Sequence, residues 1–139
     1  MADPLSALGA VAAASQLAQQ CLSITLFLCS VRSKIRNSRE MIDSQAQQVE
    51  HLTRLCRQII SNPSLQTQTI ANILKACLLE TEALHRVLQE AMISSKDRRV
   101  VRFKKTFMAL RKRGEIETRA RNLERLRGLL EISISERNS

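Results

Sequence analysis

The chain has no tryptophan and no tyrosine, and its 139 residues include only three phenylalanines, three glycines and two prolines. So few aromatic residues leave no platform on which the bases of a single strand could stack. So few turn residues leave little punctuation for the many short strands of a sandwich or barrel. Gly9, Gly114 and Gly128 are too scattered to form a loop that cradles phosphate. Charge is the third scarcity. Residues 4–31, a run of 28, carry no Asp, Glu, Lys or Arg, and the run is closed abruptly by Arg32, Lys34, Arg36 and Arg39.

What is abundant is Leu, Ile, Ala, Arg, Gln and Glu, all but Ile among the residues that lose least on entering a helix. The chain is long enough to bury a core without metal or disulfide. The expectation is a single all-α domain over 1–139, an antiparallel four- to five-helix bundle, with helices at 4–30, 34–61, 65–94, 98–112 and 115–135. Asp3-Pro4 opens the first helix with an acidic cap and a proline where a missing N–H costs nothing. Asn62-Pro63 ends the second, since the residue before proline is pushed out of the α region. The apolar residues recur at three- and four-residue steps, placing Val49, Leu52, Ile73, Leu84, Leu88, Phe107, Leu123 and Leu126 at the centre. Glu80, Glu82, Arg86 and Glu90 are expected to face water. Gly114 is expected to break the last arm, separating a basic helix lined by Val100, Phe103, Phe107 and Leu110 from a final one carrying Ile116, Ala120, Leu123, Leu126, Leu130 and Ile134.

Catalytic and cofactor chemistry finds no foothold. His51 and His85 have no Cys, Asp or Glu at ligand spacing, the serines lack a nucleophile context, and the carboxylates stand singly among basic residues as helix-surface ion pairs. Cys21, Cys29, Cys56 and Cys77 sit among apolar residues without the close pairing of metal sites, as small core residues in a reduced compartment do. Asp3, and the absence of a basic residue ahead of the apolar run, argue against a secretory signal. The reading is a non-enzymatic protein, with no cofactor and no metal, in the cytoplasm or peripheral to a membrane from its cytosolic side.

The formal net charge is +9, and its excess is local: residues 96–121 hold eleven Lys or Arg against Asp97, Glu115 and Glu117. Such a field attracts acidic lipid headgroups or nucleic acid phosphates. No recognition-helix motif, zinc module or stacking platform accompanies it, which places nucleic acid last among partners. The anionic-lipid contacts are assigned to Lys104, Lys105, Arg111, Lys112 and Arg113; a merely solvated face is the alternative.

As a helix, the uncharged run would be about 42 Å long, enough to cross a hydrocarbon core of about 30 Å. Ser15, Gln16, Gln19, Gln20 and Ser23 interrupt it, and an amide stranded in hydrocarbon is costly, so solitary insertion is disfavoured. Ala2, Ser6, Ala10, Ala14 and Ala18, with Gly9 and Ala13, make a narrow side that suits close helix packing in a membrane or in a soluble bundle.

The opening Met1-Ala2-Asp3-Pro4-Leu5-Ser6 with its alanine-rich uncharged helix, the helix from Phe103 to Leu110, Glu115-Ile116, and Leu123-Glu124-Arg125-Leu126 with Leu130 together resemble the fungal HeLo-like domains. These precede NACHT, ankyrin-repeat and related modules in fungal NOD-like (STAND) receptors. The resemblance covers essentially the whole chain, through residue-type patterns; the Trp or Tyr that many relatives carry near the start of the last arm is missing. It implies an effector domain of regulated cell death or heterokaryon incompatibility that self-associates, moves from cytoplasm to plasma membrane on activation, and is followed by a NACHT or ankyrin-repeat module in the full-length chain. It implies that the N-terminal helix is the membrane-targeting element, whose candidate inserting residues are Leu5, Leu8, Val11, Leu17, Leu22, Ile24, Leu26, Phe27 and Leu28. Two alternatives stand beside it: a constitutive protein-interaction or oligomerisation module without membrane activity, and, more weakly, a basic nucleic-acid-binding bundle.

Overall fold

The computed structural model describes residues 4–32, 39–96 and 102–138, with side chains described for all of these except 31, 39, 41, 91–96 and 102–111. It is a helical bundle, as the composition predicts. Four α-helices follow one another, α1 (Pro4–Arg32), α2 (Arg39–Ser61), α3 (Gln68–Lys96) and α4 (Arg102–Asn138), with a 3-10 turn, Pro63–Leu65, between α2 and α3.

Direction alternates along the chain. Ser6 meets Gln68 and Gln20 meets His85, so α1 and α3 run parallel. Glu90 meets Lys112 and Glu80 meets Arg119, so α4 returns antiparallel to α3. α1 lies against both α2 and α3, α3 lies against α4, and α2 touches α4 more lightly.

The core is a set of interleaved stripes. α1 contributes Ala10, Ala14, Leu17, Cys21, Ile24 and Leu28, alternating four and three residues apart, with Ala13 beside them. α2 contributes Ile42, Val49, Leu52, Cys56 and Ile59, α3 contributes Ile70, Leu74, Cys77, Leu84 and Leu88, and α4 contributes Ile116, Leu123, Leu126, Leu130 and Ile134. Ala10, Ala13 and Ala14 thus face inward, where they let α2 and α3 approach. Of the eight expected core residues, six are buried, Ile73 is partly buried against the core, and Phe107 lies outside the described side chains.

The link after α2 follows the proline logic. Asn62 is extended (φ −127°, ψ 103°) and its side chain accepts from the Ser64 backbone N–H, so α2 stops at Ser61. The buried Gln66 then donates its Nε2 to the carbonyls of Ile59 at 3.1 Å and Ile60 at 3.3 Å, adding to the Asn62 N–H that reaches the Ile59 carbonyl at 3.4 Å. α3 accordingly starts at Gln68, three residues later than periodicity suggests, because Pro63–Leu65 is a 3-10 turn. The expected start of α2 at Lys34 and the Asp3 cap fall outside the described residues.

One boundary is overturned. The last arm does not break near Gly114: α4 is one helix of 37 residues that passes through it and continues beyond residue 135 to Asn138. No glycine among the described residues has positive φ. A glycine inside a helix costs about 1 kcal/mol relative to alanine. Each large apolar side chain that the continuous helix buries returns about 1.5 to 3 kcal/mol, and Ile116 lies two residues beyond the glycine, with Leu123 two turns further on. Burial outweighs propensity. Glu80 and Glu90, expected in water, instead face α4 and hold Arg119 and Lys112 on either side of Gly114.

Candidate functional site

Helix α1 has a second apolar face, turned outward. Leu5 is 77% exposed, Leu8 68%, Leu22 58% and Leu26 63%, and Ala12, Gln16, Gln19 and Cys29 are exposed with them. Among the described residues α1 is the one helix long and apolar enough to cross a membrane. The candidate inserting residues divide accordingly. Leu5, Leu8, Leu22 and Leu26 are on the outer face, Val11 and Phe27 are half-buried at its margins, and Leu17, Ile24 and Leu28 are core.

Most polar groups of α1 are satisfied within the bundle. Ser23 donates to the Gln19 carbonyl at 3.2 Å, Thr25 to the Cys21 carbonyl at 2.9 Å and Ser30 to the Phe27 carbonyl at 3.1 Å, the turn-back bonding that spares a helical hydroxyl any outside partner. Gln20 is bonded to His85, whose ring meets Phe27 edge-on at 5.8 Å. Gln16 and Gln19 remain as the amides of the exposed face.

The described part of the basic segment is closely paired. Lys112 is held between Glu90 and Glu115, Arg113 lies 3.8 Å from Glu117, Arg119 3.3 Å from Glu80, and Arg121 4.0 Å from Glu117. The hydrogen bond from Lys112 holds the Glu90 carboxyl below the usual carboxylate range, and the same bond raises Lys112. Lys112 is therefore tied down, whereas Arg113 is exposed beside it. Lys104, Lys105 and Arg111 lie outside the described side chains. Seven of the eleven basic residues of the segment fall at 96–111, a stretch whose own sequence offers only Asp97 as an acid. An open groove of about 740 Å³ between α3 and α4 is lined by Arg86, Glu90, Lys112, Gly114, Glu115 and Arg119, where the missing side chain of Gly114 leaves room.

Cys21, Cys56 and Cys77 are buried together where α1, α2 and α3 meet, and Cys29 is exposed. Burial pushes the Cys77 thiol up to about 12 and Cys56 further above the ordinary thiol range, so both stay protonated and unreactive. Among the described residues no group of His, Cys, Asp and Glu is arranged to hold a metal ion.

No protein-family model, curated protein or solved structure matches this chain.

The outer face of α1 has a signal of its own in the sequence. Residues 5, 8, 12, 15, 19, 22, 26 and 29 form a second three-four alternation interleaved with the core stripe. Separating the two registers divides the leucines of α1 into inner and outer sets, a division that the uncharged run as a whole conceals.

Proposed function

We propose that this chain is a non-enzymatic effector domain of the HeLo-like kind, soluble at rest, which self-associates and targets or permeabilises membranes through α1. The observation that carries the reading is the uncharged α1 with leucines on its exposed face as well as in the core. A helix of this length that is apolar on two sides can exchange bundle for bilayer without burying an ionised group, and charges at its centre are what membranes resist most. Neighbouring copies would satisfy Gln16, Gln19 and Gln20 by interhelical hydrogen bonds or a water-filled lumen. The first, reversible attraction comes from Lys104, Lys105, Arg111 and Arg113, each near-surface charge adding about 1 kcal/mol on an acidic membrane, with Lys112 a reserve engaged by Glu90. The domain acts in the cytoplasm and relocates to the plasma membrane, under a NACHT or ankyrin-repeat sensor in the full-length protein. The three-four spacing of the exposed leucines also supports the rival reading, a constitutive interaction module that never meets lipid.

Dye release from anionic and neutral vesicles at low and high salt separates the two. Leu22→Arg is the informative variant, because Leu22 is exposed whereas Ala14 is fully buried. Release from anionic vesicles that falls with salt and is lost in a folded Leu22→Arg protein is expected. Equal, negligible release in every condition would leave the interaction module standing.

A further inference from the structure

The outer stripe of α1 is a complete heptad seam of eight positions: Leu5, Leu8, Ala12, Ser15, Gln19, Leu22, Leu26 and Cys29. It alternates three and four residues apart, and its four leucines are exposed. Lipid imposes no such period, since a bilayer wets a helix from every side. A helix partner does impose it, because knobs must meet holes every three and a half residues.

The order of residue types along the seam identifies that partner. In antiparallel pairs of helices, each first core position of a heptad sits opposite the second core position of the other chain. With the two-fold axis midway between Ser15 and Gln19, Leu8 then faces Leu26 of the second copy. Ala12 faces Leu22, Leu5 faces Cys29, and Ser15 faces Gln19. Large meets small at one layer, apolar meets apolar at the outer layers, and the polar residues meet each other at the centre, where a serine hydroxyl and an amide can bond. A parallel pair would instead stack Ala12 on Ala12 and Gln19 on Gln19, leaving a gap beside a crowded amide layer. An isologous, self-matching patch is what a two-fold interface requires.

Charge points the same way. The chain carries +9, so two copies repel at most approaches. α2 exposes Arg54 and Arg57, α3 exposes Lys75 and Arg86, and α4 exposes Arg113, Arg121 and Arg125, whereas the outer face of α1 exposes no charged side chain between residues 4 and 31. The seam extends about 36 Å, and a strip about 10 to 12 Å wide on each copy buries roughly 700 to 900 Å² in all, the size of a weak, concentration-dependent pair.

We propose that in the resting state this chain pairs with a second copy of itself through the outer seam of α1, antiparallel and two-fold symmetric, with Leu8 opposite Leu26. The pairing deepens the membrane reading above, because it would cover the inserting helix until the copies separate, and it is measured without any membrane.

Sedimentation in vesicle-free buffer reads the proposal directly. The wild type is expected at twice its 15.7 kDa chain mass, and Leu8→Glu at the monomer mass. Adding Leu26→Lys to Leu8→Glu should restore the pair, since the two new charges face each other only in the antiparallel register; circular dichroism on each variant confirms that it is folded. Mild oxidation reads the direction: Leu5→Cys should trap a covalent dimer with the native Cys29, whereas the wild type, with its two Cys29 residues at opposite ends, should not cross-link. A wild type that is monomeric at tens of micromolar, or whose dimer survives both Leu8→Glu and Leu26→Glu, overturns the proposal. So does efficient Cys29 cross-linking in the wild type, which means a parallel pair. A monomer that binds vesicles through the same leucines makes lipid the occupant instead. An intact dimer that never releases dye upholds the pairing and sinks only the membrane reading.

Discussion

Gln20 on α1 and His85 on α3 are joined side chain to side chain, amide Nε2 to imidazole Nδ1 at 3.1 Å, although 65 residues separate them. An amide N–H can donate only to an unprotonated ring nitrogen, so this contact is made by neutral histidine. Partial burial lowers the His85 pKa from 6.5.

A pKa lower in the folded than in the unfolded chain means that the unfolded chain binds the extra proton first. The stability His85 contributes is therefore complete above about pH 6.5 and is lost as pH falls through the lower folded value. The melting temperature should decline over that window, and His85→Gln should flatten the decline. Identical pH slopes in the two proteins would remove His85 from the explanation.

Gly114→Ala should stabilise the protein by about 0.5 to 1 kcal/mol. The helix passes through this position without positive φ, and a Cβ there meets nothing within 4 Å. Urea unfolding gives the answer; a midpoint that falls would mean that α4 bends at this position in solution.

Gln66→Met keeps the length of the side chain and removes its two donated bonds to the end of α2. The Ile59 carbonyl keeps the Asn62 N–H at 3.4 Å, so the Ile60 carbonyl is the one that loses its side-chain donor, and each lost bond costs about 0.5 to 1.5 kcal/mol. Equilibrium denaturation should show that loss, and an unchanged midpoint would mean that water replaces the amide.

A thiol reagent at mildly alkaline pH should modify one cysteine per chain in dilute native protein and four after denaturation. Cys29 is exposed, whereas Cys21, Cys56 and Cys77 are buried. Modification of two or more before unfolding would place the thiol cluster nearer the surface than α1, α2 and α3 allow.

The periodicity of the sequence reveals the helices and most of the core because burial is itself periodic: Val49, Leu52, Leu84, Leu88, Leu123 and Leu126 all lie inward as their spacing requires. Gly114 misleads because glycine propensity is local, whereas the burial of Ile116 and Leu123 that favours a continuous α4 depends on the other helices. Glu80 and Glu90 are hidden as partners of the basic segment, since a charge count along the chain cannot register acids that arrive from another helix. The 3-10 turn at Pro63–Leu65 is foreshadowed by Asn62-Pro63, but the role of Gln66 depends on how the chain folds back and has no signature in spacing.

The neighbour relations of the bundle carry a cost for any departure of α1. α2 leans on α1 and touches α4 only lightly, whereas α3 and α4 lie closely together and are joined by the ion pairs Glu90–Lys112 and Glu80–Arg119. Withdrawing α1 would strip Val49, Leu52, Cys56 and Ile59 of most of their cover and leave α2 hinged on the Asn62-Pro63 link. What would remain is a two-helix hairpin of α3 and α4 with a loose arm, not a three-helix bundle. The first two helices must leave as a pair, or a newcomer must take the place of α1 against α2 and α3 in the same motion.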